Sequence, residues 1–300
     1  MAMTFVASDP ASKATLEAFE RLASDTEPGW HWHALVDLAF DEGNPRWPLA
    51  SPPAAVYARG KWAALAQVSP VFFELAAVEP AQLQRQVRAL HSYAAGRPML
   101  SFVRSDLSAT ELALAMHRFI EVQTEDGQAF VLRWADTRVA VGLHQSLSKQ
   151  HWSSLRAQFA DWRVIDRYGE LVKQPATAGA PALAEKAQQG PVKLSDAELG
   201  ALLRAGEPDS LVAMLSEQFA DLLLEDNRAA VYTQALRVCE LAEDCQLGTP
   251  ADRLYLLVAC RSAGRHLEDD PRLLAWLRAK SWVATGDFAQ AMGNFLESIE

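Results

Sequence analysis

Residues 129–143, Ala-Phe-Val-Leu-Arg-Trp-Ala-Asp-Thr-Arg-Val-Ala-Val-Gly-Leu, change hydrophobic period halfway along, and that change constrains the fold more than any other stretch. Phe130, Leu132 and Trp134 alternate with Val131 and Arg133, the period of two that a pleated strand imposes. Asp136-Thr137 then supplies side chains suited to cap the first N–H groups of a helix. Val139, Leu143 and Leu147 follow one helical turn apart. The chain therefore predicts a strand-to-helix corner. Arg133 and Arg138 flank Asp136 there, and a partly buried guanidinium needs a carboxylate to satisfy its five donors.

Ahead of the corner, strands and helices intermix. Residues 12–24 read as a helix, with Leu16, Phe19 and Leu22 about a turn apart. Residues 30–40 form the first strand, placing Trp32, Ala34, Val36, Leu38 and Phe40 on one face and His31, His33, Leu35 and Asp37 on the other. The proline-rich stretch 43–53 reads as an irregular loop, 54–57 as a short strand, 61–67 as a helical turn and 71–75 as a strand. Pro80 opens a helix lined by Leu83, Val87 and Leu90 and closed by Gly96. Residues 99–103 form a strand, and the capping box at residues 108–111 opens a helix with Leu112, Met116 and Phe119 in a stripe. Asp126-Gly127 predicts a two-residue hairpin turn leading into the corner. Residues 164–172 suggest one more strand or hairpin arm around Tyr168-Gly169.

Residues 173–191 are dominated by Ala, Gln, Pro and Gly, a linker composition. Beyond them only helices are expected: a capping box at residues 195–198, an apolar face of Leu211, Leu215, Phe219, Leu222 and Leu223, then segments near 228–245, 250–263 and 271–284. Gly286-Asp-Phe with Ala291 and Phe295 is similar to the inter-helix turn of a tetratricopeptide repeat, but no second copy recurs, so a compact bundle is expected. The fold class is thus α+β, a mixed N-terminal lobe around a small central sheet followed by an all-α lobe. The expected domains are residues 1–172 and 192–300, joined by 173–191.

Composition bounds the function. The formal charge is −10, and residues 192–300 hold 10 basic against 18 acidic side chains, so −8 of it sits in the helical half. That sign argues against nucleic acid or anionic lipid as partner. No apolar run approaches the ~20 residues that span a bilayer, and residues 1–10 lack a signal-peptide pattern, so a cytoplasmic location is expected. Cys239, Cys245 and Cys260 lack metal-site spacing and are expected as buried free thiols.

Several segments resemble one family. Leu132-Arg133-Trp134-Ala135-Asp136-Thr137-Arg138-Val139 is similar to the L-R-F-Y-D-P-R-V signature of the type VI secretion adaptors known as Tap or TEC proteins, with Ala135 in place of an aromatic and Thr137 in place of proline. Ala34-Leu35-Val36-Asp37-Leu38-Ala39 resembles that family's Y-A-L-L-D-G-A strand, and Pro70 matches the proline of a third segment. The resemblance spans roughly residues 28–172. It implies a non-enzymatic chaperone that holds a cognate effector and loads it onto a VgrG spike protein, without cofactor or metal. Asp37 is expected to neutralise Arg133 or Arg138, making Asp37, Arg133, Asp136 and Arg138 a structural motif.

Seven of the nine tryptophans precede the linker, and Trp47, Trp62 and Trp152 are the ones expected to contact a partner, since aromatic anchors carry much of an interface's energy. The competing reading is a metal-assisted hydrolase using His31 and His33. An H-x-H pair binds metal at the end of the first strand in metal-dependent amidohydrolases, but this pair precedes its apolar run, and no repeated strand–helix units follow. A third reading is a structural scaffold. No Walker loop, G-x-G-x-x-G, G-x-S-x-G or H-E-x-x-H is present.

Overall fold

The computed structural model describes residues 7–24, 27–41, 47–75, 79–94, 96–176, 191–223, 228–263, 266–284 and 286–299. The chain divides into two compact units, residues 8–205 and residues 1–7 with 206–300.

The first unit is built on a six-stranded antiparallel sheet. Its elements run α1 (Lys13–Ala23), β1 (His31–Asp37), β2 (Ala54–Ala55), β3 (Pro70–Glu74), α2 (Pro80–Ala94), β4 (Leu100–Ser105), α3 (Ala109–Met116), β5 (Glu121–Gln123), β6 (Ala129–Val131), α4 (Thr137–Ala140), α5 (Leu143–Ser146), α6 (Lys149–Arg156), β7 (Asp161–Ile165), β8 (Leu171–Lys173) and β9 (Val192–Lys193). The sheet order is β2-β3-β1-β4-β7-β8; a second, three-stranded sheet runs β6-β5-β9. Strand β1 lies near the centre and is buried on both faces. Trp32, Ala34 and Val36 pack with Leu16 and Phe19 of α1 and Leu83, Val87 and Leu90 of α2. Leu35 faces the opposite core, with Leu112 and Met116 of α3, Trp134, Leu143 and Leu155. Helices thus cover both faces of the sheet, because each strand contributes apolar residues alternately to two cores.

Local signals explain the element starts. Ser12 Oγ accepts from Thr15 N, and both halves of the Ser108–Glu111 capping box are formed. Three expectations shift. The first strand ends at Asp37, and Leu38–Phe40 turn as a 3-10 helix. The Asp126-Gly127 hairpin holds three loop residues rather than two: Thr124 N donates to Gln128 O and Gly127 N to Thr124 O, with Gly127 at φ +85°. That is the left-handed position a three-residue hairpin loop requires. The strand entering the corner stops at Val131, with Phe130 exposed while Leu132 and Trp134 are buried in the backbone turn beyond it.

The second unit is helical. Helix α7 (Asp196–Gln218) begins in the first unit and continues into the second; it is followed by α8 (Arg228–Asp244), α9 (Pro250–Ser262), α10 (Pro271–Arg278) and α11 (Phe288–Ile299). The sequence sets the capping box at residues 195–198 apart from the apolar face that begins at Leu211, but a single helix carries the chain from one to the other through Pro208. Pro208 has no N–H to give the Arg204 carbonyl, so one interior hydrogen bond is missing there. Within this unit Trp276 packs on Trp282, Phe288 and Phe295; the aromatic positions of the repeat-like turn enter the core, and Ala291 is buried. The sequence puts the change of domain at residues 173–191, most of which lie outside the described residues, as does part of the loop at 43–53. The compact units divide between Ala205 and Gly206, because β9 pairs with β5 and Leu194 is buried in the sheet's core.

Candidate functional site

The four charged residues singled out from sequence meet at one corner. Strand β1 ends on Asp37, whose Oδ1 caps the following turn by accepting from Ala39 N at 3.1 Å. Its Oδ2 accepts from Arg133 Nη2 at 2.9 Å. Arg133 Nη1 stands 3.4 Å from Asp136 Oδ2. Asp136 caps α4, with Oδ1 accepting from Arg138 N at 3.0 Å, and it binds the Arg138 guanidinium through both oxygens, at 3.0 Å to Nε and 2.7 Å to Nη2. Asp136 is therefore a bidentate partner and a helix cap at once.

Phe40 completes the corner. Both guanidiniums lie over its ring, 4.8 Å (Arg133) and 5.1 Å (Arg138) from the centroid. The planar arginine is suited to this, since it stacks on an aromatic face while its edge donates to carboxylate. Thr137, standing where the resembled signature has proline, is buried, and its N–H donates to Pro98 O at 3.0 Å. Asp37 and Asp136 are 3% and 1% exposed. Burial pushes the Asp37 carboxyl above its usual range, outweighing the downward pull of Arg133. Burial, reinforced by the charge of Asp37, pushes the neighbouring Tyr57 hydroxyl up to about 12. Every carboxylate at the corner is committed to a cation and a main-chain N–H. Each carboxylate thereby ties a guanidinium to the main chain, which holds the corner together.

The three tryptophans expected at a surface have different fates. Trp47 is 45% exposed and meets Phe73 edge-on at 6.1 Å. Trp62 is half-buried against Tyr57, with Lys61 Nζ 5.3 Å from its ring centroid. Trp152 is corrected: it is 6% exposed and stacks on Trp162 at 6.0 Å. Helix α6 turns Trp152 and Leu155 inward together, three residues apart on one face, so the ring is core.

His31 and His33 do not present a paired face to solvent. His31 is exposed, His33 is fully buried, and their ring centroids are 6.5 Å apart. Both His33 nitrogens are buried, and burial, outweighing an opposing pull from the Leu107 backbone, lowers the ring's pKa to about 4. The three cysteines are buried and free; burial pushes the Cys239 thiol up to about 12 and raises the other two, the opposite of what a nucleophile or metal ligand needs. In the helical unit His266, Glu268 and Asp269 bring one ligand atom each within 4.8 Å of one another. Glu268 already accepts from Gln234, and Asp269 is paired with Arg237.

One junction was not foreseen. Glu198, second half of a capping box with Ser195, also accepts from Ser148 N and His151 Nδ1, both at 2.7 Å. Burial works against its charge, yet hydrogen bonds from Ser195, Ser148 and His151 prevail and hold its pKa at about 2. The capping box was visible in the sequence; the reach to α6, some fifty residues earlier, was not.

Residues 32–154, which include the whole charged corner, match the model of a family described only as a domain of unknown function, DUF4123. No curated protein and no solved structure matches the chain. No described helix is long and apolar enough to cross a membrane.

Proposed function

We propose that this protein is a non-enzymatic adaptor: it binds a type VI secretion effector in the cell that makes it and loads that cargo onto a VgrG spike. The observation that carries the reading is where the matched segment and the corner coincide. Domains of the matched kind are associated with effector adaptors of this system. The resembled signature, Leu132 to Val139, lies inside the match, and its charged side chains form a closed internal network rather than an open reactive set. Such a network fixes the geometry of a surface without doing chemistry on a substrate. Exposed Trp47 offers that surface an aromatic anchor of the kind interfaces use. The mechanism is stoichiometric: cover a segment of the cargo, and present the complex to the spike. The acidic helical unit is the cargo-selecting part in this scheme.

Co-expression with the effector and VgrG encoded beside it, followed by affinity capture and size-exclusion chromatography, tests the proposal. A stoichiometric complex with the effector, extended by the VgrG tail, is the expected result. A monodisperse protein that binds neither at micromolar concentration overturns it.

A further inference from the structure

The edge of the large sheet next to α3 carries an open groove of ≈ 210 Å³, lined chiefly by Ala54, Ala55, Ala58, Ala113, Leu114 and Arg59. Its origin is the run of small side chains: the alanines of β2 and its flank, and Ala113 on the helix, leave unfilled the space a larger residue would take. Leu114 stands at the rim, 49% exposed. Arg59 is exposed and has neither an ion-pair nor a hydrogen-bond partner among the described residues, whereas nearby Lys61 is paired with Glu121. His117, also lining the groove, lies with Nδ1 2.8 Å from Val56 O. A carbonyl only accepts, so Nδ1 is the donor and the ring is locked to the turn that follows β2.

Two features narrow what such a groove takes. Strand β2 is the outermost of the sheet but only two residues long, and Pro52-Pro53 just before it have no N–H to extend a ladder. Recognition here runs through side chains, not through an added strand. The apolar floor and exposed leucine call for a bulky apolar group, and the unpaired guanidinium at the rim calls for a carboxylate, which it can bind through two parallel N–H donors. We propose that this groove docks a short segment of a protein partner that presents a large apolar side chain beside a carboxylate. The inference goes beyond the adaptor reading by naming the chemistry of one contact on the α/β unit, and it is tested without effector or spike.

The probe is a phage-displayed library of random short peptides, panned on the full-length chain; the enriched peptides are then titrated by fluorescence anisotropy. Ala58→Trp fills the groove and Arg59→Glu reverses its charge. Both positions are exposed, so the fold should survive, and thermal melting followed by circular dichroism checks this; Leu114→Arg replaces Ala58→Trp if that variant melts early. Enriched sequences should pair Leu, Ile, Phe or Trp with Asp or Glu. Their affinity should fall roughly tenfold or more when the groove is filled, the loss expected for an anchor residue. Arg59→Glu should weaken the acidic peptides and select basic ones when panned itself. The proposal is overturned if no peptide is enriched, if enriched peptides bind the filled variant as well as the parent, or if the parent self-associates and Ala58→Trp abolishes that association, which would make a second copy the occupant.

Discussion

Asp136 and Arg138 are joined by three hydrogen bonds over two residues of sequence: Asp136 Oδ1 accepts from the Arg138 main-chain N and from Nε, and Oδ2 accepts from Nη2. The same carboxylate therefore starts a helix and neutralises a cation, and Arg133 approaches its Oδ2 as well. Asp37 ties this pair to the end of the central strand through Arg133. The corner where the strand pattern gives way to a helical one is thereby fixed to the sheet.

Asp136→Ala removes a cap and takes a shared carboxylate from two guanidiniums at once. Breaking a buried pair by deleting one partner costs about 3–5 kcal/mol, and losing a cap about 1 kcal/mol. Arg133 is partly exposed and retains Asp37, so the loss in urea denaturation should lie near about 3 kcal/mol. Asp136→Asn keeps the capping oxygen and should cost less. Equal stability of both variants and the parent would refute the structural role.

The Glu198 junction predicts an acid-sensitive step. Its folded pKa, about 2, lies below the ordinary carboxylate value of 4.5. The unfolded chain therefore takes up the proton first as pH falls. The stabilisation is complete above about 4.5 and is lost as pH drops toward 2. Denaturant midpoints measured across that window should fall more steeply for the parent than for Glu198→Gln, in which the titrating group is gone.

His33 gives a second dependence in a different window. Its folded pKa of about 4 is below the ordinary 6.5, because burial disfavours the charged ring. Between those values the unfolded state binds more protons, so stability declines as pH falls from about 6.5 to 4 and this contribution levels off below. Proton NMR should find one histidine titrating near 4, and His33→Leu should flatten the pH profile between 4 and 6.5.

The tryptophans separate core from surface. Trp152→Ala opens a cavity against Trp162 and should cost about 3–5 kcal/mol. Trp47→Ala, at a half-exposed site with one edge-on contact, should cost about 1 kcal/mol or less while weakening cargo capture. Thermal melts of the two variants, run beside the co-purification assay, would read the reversal: one loses stability, the other binding.

Local chemistry in the sequence located most of the scaffold. Helix starts at Ser12, Ser108, Asp136 and Ser195 carry side chains that satisfy the first free N–H groups, and the alternation at residues 32–36 marks a strand whose two faces enter two cores. Asp37, singled out by the resemblance, was expected to meet Arg133 or Arg138, and the structure pairs it with Arg133. Strand ends were less legible: Phe130 to Trp134 alternates correctly, yet the chain leaves the sheet after Val131, because Leu132 and Trp134 reach the core from a turn.

By itself, then, the sequence determined where segments begin, which of their faces are apolar, and which charges must find opposites. These follow from hydrogen bonding within a few residues and from periodicity. Only the tertiary structure decided that Trp152 is core while Trp47 is surface, that His33 is sealed in, and that Glu198 reaches Ser148 and His151. It alone showed Val192-Lys193 pairing with β5, and the alanines of β2 and α3 leaving a groove beside an unpaired Arg59. Each of these depends on which distant segment comes to lie against the residue, and a side chain's own spacing carries no record of that.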